Sequence, residues 1–440
     1  MAFFLLALSA LVHFAFFGHP QEVVFDEVHY GKFVNGYLKG EYFFSGHPPA
    51  GPQLLALGAW LGGYRATHPF DHIGEKWEGK SSFGLRLLPN LAGVFIPVFA
   101  YWLMRVLGAS LFSSLLLGAA LIFENGLVAQ SRLALVDAFL VFFGLLGLLF
   151  FFLARARHYS PPLLLAAGVF FGLSAAVKWS GLGFMASIAP VLGIDAFEAL
   201  RQRQWGMALR WFARSALSFL AVPALCYFAV FVLHFSLLPR SGPGDIFMSQ
   251  AFRQGEKGIV GKFLELNKIN YLSNLKNLTA SHPYSSSLLA WPFMARPLYY
   301  WGGAGEEGYM RIYFLGNPVV WWGSTLGLFL AFLFWNSSRR GLKIFLLLGY
   351  LLNLLPFAGA TRPFFLYHYL PALLFALMAT FFMLGDFMDA SPLFQKKKYW
   401  AAGALAAVVL AGFLFFAPLS YGLPLSERAY ALRVWFAAWQ

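Results

Sequence analysis

A single cysteine, Cys226, occurs in the 440 residues. That excludes a disulfide framework within the chain and thiolate ligation of a metal. Its place inside an apolar run reads as a small buried hydrophobe. Charge is scarce too: 12% of residues are charged, against about 25% in a soluble domain. Glycine-rich phosphate loops, nucleophile elbows and the HExxH pattern are all missing, so those chemistries have no motif to stand on. The ten histidines are scattered. A metal site can be drawn from His29, His47 or His282 with acids, but no ligand spacing supports one, and no metal is expected.

What the chain has instead is apolar length. Hydrophobic residues make up 59% and aromatics 19%, with 51 Phe, and the mean hydropathy is +0.64. Lipid rather than water must surround much of such a chain. The net charge of +13 invites a nucleic-acid reading, but the basic residues form no stripe. They fall in short clusters between apolar runs: Arg155 and Arg157; Arg201, Arg203, Arg210 and Arg214; Arg339, Arg340 and Lys343; Lys396, Lys397 and Lys398. That is the pattern of short loops left in the cytoplasm, and it argues against nucleic acid as a partner.

Apolar segments that span or nearly span fall at 2–18, 87–107, 109–126, 133–154, 161–177, 181–197, 211–235, 318–335, 341–357, 364–385 and 399–418. The expectation is an all-α polytopic membrane protein with about eleven transmembrane helices. The first segment lacks a basic leader and a clear small-x-small cleavage site, so it reads as an uncleaved helix. With its N-terminus inside, alternation places every basic cluster in the cytoplasm. Residues 19–86 and 236–317 and the tail from 419 then lie outside. The division expected is 1–235 as an N-terminal membrane region with its first outer loop, 236–317 as a second extracytoplasmic loop, and 318–440 as C-terminal helices and tail. Outer loops this long are usually functional. Within them, 52–64 is apolar enough to lie in the interface, and 245–281 reads as short amphipathic helices.

Ionisable residues at membrane depth are functional candidates by default. Glu124, Arg132 and Asp137 bracket one helical junction, where a structural ion-pair cluster is an alternative. Arg86, Arg132, Lys178 and Arg362 stand in outer connections, where the charge rule disfavours them. Each alone can be a snorkelling anchor. Together they are what a membrane-embedded phosphate needs. Asp26 and Glu27 follow the first apolar run directly and precede His47-Pro48-Pro49. They can form a solvated acidic turn. Held beside cations, a carboxylate there can instead take a proton from a hydroxyl nucleophile, with its neighbour orienting a cation or the acceptor. Asn277-Leu278-Thr279 has the form of a glycosylation acceptor.

The run FDEVHYGKFVNGYLKGEYFFSGHPP (25–49) resembles the first luminal loop of protein O-mannosyltransferases. LRLLPNLAG (85–93), ENGLVAQSRLALVDAFLVFFG (124–144), AAVKWSGL (175–182), SHPYSSSLLAWPFMARPLYYW (281–301), LGNPVVWW (315–322) and FLYHYLPAL (365–373) resemble the same family in the same order. The resemblance implies the GT-C glycosyltransferase architecture, a polyprenyl- or dolichyl-phosphate mannose donor, and Ser or Thr hydroxyls of proteins as acceptors. It implies that Asp26 and Glu27 are the catalytic pair and that Arg86 matches a family arginine. Two features depart from it. No β-trefoil-sized insert fits in 236–317, which resembles a bacterial member, and HPPAGPQ places Gln53 where the family has lysine.

Both lines give one expected mechanism. Asp26 deprotonates the acceptor hydroxyl, attack inverts the anomeric carbon, and Arg86, Arg132, Lys178 and Arg362 stabilise the departing lipid phosphate. His47, His282, Tyr284, Trp291 and Arg296 are the candidate acceptor or sugar platform, with interfacial packing as the alternative. The rival functions are transfer of another lipid-linked sugar to a lipid or glycan, and transport.

Overall fold

The computed structural model describes residues 1–77, 81–274, 282–304, 308–335, 340–359, 362–390 and 392–440, without the side chains of Ser81, Ala304, Leu393, Phe394 and Lys396. The Asn277-Leu278-Thr279 motif, Arg339 and the Lys396 side chain lie outside what is described.

Every apolar segment foreseen is helical. The chain opens with α1 (Ala2–Phe14), α2 (Glu27–Lys39), α3 (Ala50–Leu61) and α4 (Ser81–Val106). A bent pair follows, α5 (Leu111–Ile122) and α6 (Asn125–Arg132), then α7 (Asp137–Ala156) and α8 (Pro161–Val177). Next come α9 (Leu182–Ala186), α10 (Ala189–Arg201), α11 (Trp205–Ala216) and α12 (Val222–Leu237). After two further helices, α13 (Gln250–Arg253) and α14 (Ile259–Leu272), the chain forms the strands β1 (Leu298–Ala304) and β2 (Tyr309–Phe314). It ends with α15 (Pro318–Phe334), α16 (Arg340–Leu354), α17 (Leu370–Ala390), α18 (Pro392–Tyr421) and α19 (Glu427–Ala431). Among the described residues, seven helical stretches are long and apolar enough to cross a membrane, eight if the α5–α6 pair, bent by 55°, is one span. α1, α8 and α15 are apolar but at or below about 17 residues, the lower limit for crossing. This is an integral membrane protein.

The core lies around α7 and α17. Of their spanning windows 83% and 72% are buried, against 22% for Trp205–Leu237 and 28% for Lys397–Tyr421. Lipid is as apolar as leucine, so such helices associate through close packing rather than hydrophobic exclusion. α3 and α4 show how: a Cβ at Gly84 would stand 2.9 Å from the Gly58 carbonyl oxygen, so glycine lets the two backbones meet.

Among the described residues, one two-stranded sheet is added to the helical fold. β1 and β2 pair antiparallel with a bulge between Tyr299 and Trp301. Their Tyr, Trp, Ile and Phe suit a pleated half-buried surface.

The helices also separate two chemistries by length. α7 starts at Asp137 and ends beside Arg155, which its 20 residues place about 30 Å apart. A cavity of about 730 Å³ opens at the Arg155 end, lined by Arg155, Asp195, Tyr159 and Arg340. Asp26, Lys178 and Arg362 interact with Asp137 at the other end.

Candidate active site

The turn before α2 sends two adjacent carboxylates in opposite directions. Phe25 stands at φ +48°, a left-handed conformation costly for a side chain with a Cβ. Its ring stacks on Tyr300 at 4.3 Å, which holds it there. Asp26 is then the half-buried residue before the helix, and Glu27 is wholly buried as its first residue.

Glu27 is saturated. One carboxylate oxygen, Oε1, accepts from Arg86 Nε at 2.7 Å and from the Ala134 amide at 2.8 Å. The other, Oε2, accepts from Arg86 Nη2 at 2.6 Å and the Val24 amide at 2.9 Å. Arg86 gives its remaining N–H groups to the carbonyls of Gly18, Pro20 and Glu22. All five donors of a guanidinium and all four lone-pair directions of a carboxylate are thereby used, with both side chains 0% exposed. Neither has capacity for a substrate. Two expectations change here: Glu27 is a structural carboxylate, and Arg86 is its counter-ion and a clasp for the chain at 18–22, with nothing left for a phosphate.

Arg132 belongs to the same clasp. Its Nη2 donates to Phe16 O at 2.5 Å and to His19 O, its Nη1 donates to Ser420 O, and its guanidinium lies 4.5 Å from the Tyr421 ring centroid. It faces α18 and the chain at 16–19, and its expected phosphate contact has no geometric support. The ion-pair cluster weighed for Glu124, Arg132 and Asp137 also does not form. Glu124 caps α6 through the Leu127 amide and accepts from the Asn317 amide.

Asp26 lies in a different group. Among the described residues nothing donates a hydrogen bond to its carboxylate. Burial raises its carboxyl above the ordinary range; His29 and Lys178 pull it back and Asp137 pushes it further up. Lys178, at the end of α8, donates from Nζ to Asp137 Oδ1 at 2.7 Å and sits 5.0 Å from the Tyr367 ring centroid. The two side chains are 6% and 7% exposed. The other Asp137 oxygen accepts from Gln130 Nε2 at 2.8 Å, and Gln130 Oε1 accepts from the Tyr300 hydroxyl. A chain of polar contacts thus runs from the β-hairpin through α6 and α7 to Lys178, and Tyr300 also fixes Phe25 beside Asp26. An ammonium has three donors, so Lys178 keeps capacity for an anion.

Arg362 completes the group. It donates to Asn274 Oδ1 and lies 3.4 Å from His368 Nε2, while Asn274 donates to Gly46 O at 2.7 Å beside His47. His47 is held well below the usual imidazole value by burial and then by the charges of Lys178 and Arg362, and so is neutral. Of the four expected phosphate cations, Lys178 acts on Asp26 and Arg362 on Asp137, while Arg86 and Arg132 are turned to Glu27 and to backbone carbonyls.

The expected platform is also divided. His282 is exposed and packs on Phe365, and Tyr284 is half-exposed against Tyr299. Trp291 is fully buried, bonded to Ser286 Oγ and stacked against His368, so it offers no face to a sugar. Arg296 is exposed and makes no hydrogen bond or ion pair among the described residues. Among the described residues, no three His, Cys, Asp or Glu side chains are arranged to hold a metal. Reading the sequence missed Gln130, Asn274, Tyr300, Tyr367 and His368. The signal for Gln130 is a lone amide inside an apolar run, and Tyr367 and His368 lie within FLYHYLPAL.

With this geometry the comparisons can be placed. Residues 3–239 match the family described as dolichyl-phosphate-mannose-protein mannosyltransferase, and 259–439 match the C-terminal four-transmembrane region of protein O-mannosyltransferases. The chain belongs to this mannosyltransferase family. Protein O-mannosyl-transferase 1 of Danio rerio is 35% identical over 264 residues, 58% of this chain and 37% of that protein. Dolichyl-phosphate-mannose–protein mannosyltransferase 4 of Candida albicans is 34% identical over 259 residues, 56% of this chain and 34% of that protein. The chain thus spans about a third of these mannosyltransferases. Among solved structures, the S. cerevisiae protein O-mannosyltransferase Pmt1-Pmt2 complex bound to the sugar donor is similar at a TM-score of 0.88, with 19% identity, covering 100% of this chain and 92% of that one. ArnT from Cupriavidus metallidurans bound to undecaprenyl phosphate is similar at 0.58, with 14% identity, covering 96% and 76%. The mannosyltransferase fold is therefore of the GT-C type.

Proposed function

We propose that this chain transfers mannose from a polyprenyl- or dolichyl-phosphate mannose to Ser or Thr hydroxyls of proteins, with inversion, at the outer face of the membrane. The observation that carries the reading is Asp26, a carboxylate with no hydrogen-bond donor among the described residues, beside a buried ammonium with donors to spare. Asp26 accepts the proton of the acceptor hydroxyl while its oxygen bonds to the anomeric carbon. The bond from that carbon to the phosphate oxygen breaks, and the phosphate leaves with the electron pair. Lys178 and Arg362 stabilise the charge gathering on it. A phosphate is a good enough leaving group to need no general acid, and the Asp26 proton is lost to solvent. Neutral His47 lies where it can hydrogen-bond the sugar or the acceptor. The membrane is proposed to be a bacterial cytoplasmic membrane, with the N-terminus inside and the Asp26 end of the bundle outside, because the basic clusters gather at the other end.

The test is transfer by the purified chain in liposomes, with polyprenyl-phosphate mannose and a Ser/Thr peptide, read by mass spectrometry. Hexose on the peptide is expected. Transfer from an aminoarabinosyl lipid but not the mannosyl one would overturn the reading.

A further inference from the structure

α14 and the turn after it carry the same side-chain arrangement twice. Asn267 donates from Nδ2 to the Phe263 carbonyl, one turn back, at 2.8 Å. Asn274, just beyond Leu272 where the helical backbone continues, donates from Nδ2 to the Asn270 carbonyl at 2.8 Å, again one turn back, and to Gly46 O. With both amide nitrogens anchored in this way, both side-chain oxygens are turned off the helix as acceptors. Each of them leads to a cation. Asn274 Oδ1 accepts from Arg362 Nη1. Asn267 Oδ1 accepts from the Tyr227 hydroxyl at 2.6 Å, and that hydroxyl accepts from Trp179 Nε1 at 2.8 Å. Trp179 follows Lys178 directly. The helix is itself held in place, because Phe263 packs against the rings of Tyr227, Phe228 and Phe231 on α12 at 6.0, 5.1 and 5.1 Å.

We propose that Asn274 and Asn267 are positioning residues: from one helix they fix Arg362 and the turn that carries Lys178 relative to each other. The proposal rests on the transfer reading above and adds residues that act through the two cations rather than on the substrate. Two observations carry it. The first is spacing. The two asparagines stand about 10 Å apart along the helix, which makes α14 a ruler between the two cations. A phosphate held by more than one cation needs such a ruler, since a misplacement of about 1 Å can cost roughly 10²-fold in rate. The second is charge. Arg86 is held by the Glu27 carboxylate, which neutralises it. Arg362 is held by an amide oxygen, which orients the guanidinium and leaves its charge for an anion. Tyr227 and Trp179 are likewise uncharged. Through these contacts α14 directs both cations without supplying a counter-charge.

The experiment is a double-mutant cycle on the full chain in liposomes, with polyprenyl-phosphate mannose and a Ser/Thr peptide. Asn274→Leu, which keeps the side-chain size, is expected to lower kcat about ten- to hundredfold while the peptide KM and the thermal midpoint are nearly kept. Added to Arg362→Gln it is expected to cost nothing further, because the group it positions is already gone. Tyr227→Phe deletes only a hydroxyl and tests the other branch. Alone it is expected to lower kcat roughly fivefold, and added to Lys178→Gln to cost nothing further. Should Asn274→Leu fail to fold, Tyr227→Phe decides. Equal fold losses with and without the cation, or an unchanged kcat in the single variants, overturn the proposal and leave the transfer reading standing. An unaltered chain that transfers nothing overturns both.

Discussion

Two cation–carboxylate centres sit close together in this protein and have the same ingredients with opposite consequences. Around Glu27, Arg86 spends every donor on one carboxylate and three carbonyls, and the pair is sealed from solvent. Around Asp26, Lys178 has Asp137 as its carboxylate partner, and among the described residues no group donates a hydrogen bond to Asp26. What separates a structural ion pair from a reactive one here is unspent hydrogen-bonding capacity rather than charge or burial. Two residues adjacent in sequence fall on either side of that line because Phe25 turns the backbone between them and the buried residues they follow.

The comparison can be broken by substitution. The largest effect is expected at Asp26: Asp26→Asn removes the base and should cost about 10²–10⁴ in the transfer rate while the thermal midpoint is nearly kept. Next is the sealed centre. Arg86→Met strands a buried carboxylate and should cost about 3–5 kcal/mol of stability, seen as loss of folded protein on size-exclusion chromatography. Lys178→Gln should lower kcat by about 10²–10³, a phosphate-stabilising contact being worth roughly 2–4 kcal/mol. Retention of wild-type kcat would move the phosphate elsewhere. Arg132→Gln should leave kcat within a few-fold and act through stability, which sharpens its assignment to the clasp.

The smallest effect is on pH dependence. Because burial raises the Asp26 carboxyl, the base form is lost at a higher pH than for an ordinary carboxylate, about 3.9. The acid limb of kcat/KM should therefore lie above that value, with activity falling as pH drops through it. Asp137→Asn removes the negative charge that raises Asp26 further, and should move the limb toward lower pH. A shift the other way would place Asp137 outside the electrostatics of the site.

Much of this was legible in the sequence, and the remainder has physical reasons. Helices buried in lipid must be apolar along their length, so the segments found from hydropathy are helices here, with ends off by a few residues. The α5–α6 break was not separable from one span, since composition does not report a bend. Arg86 and Arg132 passed every sequence criterion for a phosphate ligand. A residue type cannot reveal that every Arg86 donor is committed to Glu27 and the carbonyls at 18–22, or that the Arg132 head group bonds to the carbonyls of Phe16, His19 and Ser420. Trp291 failed as a platform for a similar reason: an aromatic in a loop reads as exposed until packing against His368 covers it. Asp26 and Lys178 come together because α8 ends near where α2 begins.

The division of labour between the two adjacent carboxylates is tested most directly by comparing Asp26→Asn with Glu27→Gln, measuring the thermal midpoint and mannosyl transfer on each. The account predicts that Asp26→Asn folds normally and transfers about 10²–10⁴ more slowly, while Glu27→Gln loses stability first and activity with it. A folded, stable Glu27→Gln without transfer, beside an Asp26→Asn that transfers at the unaltered rate, would contradict it.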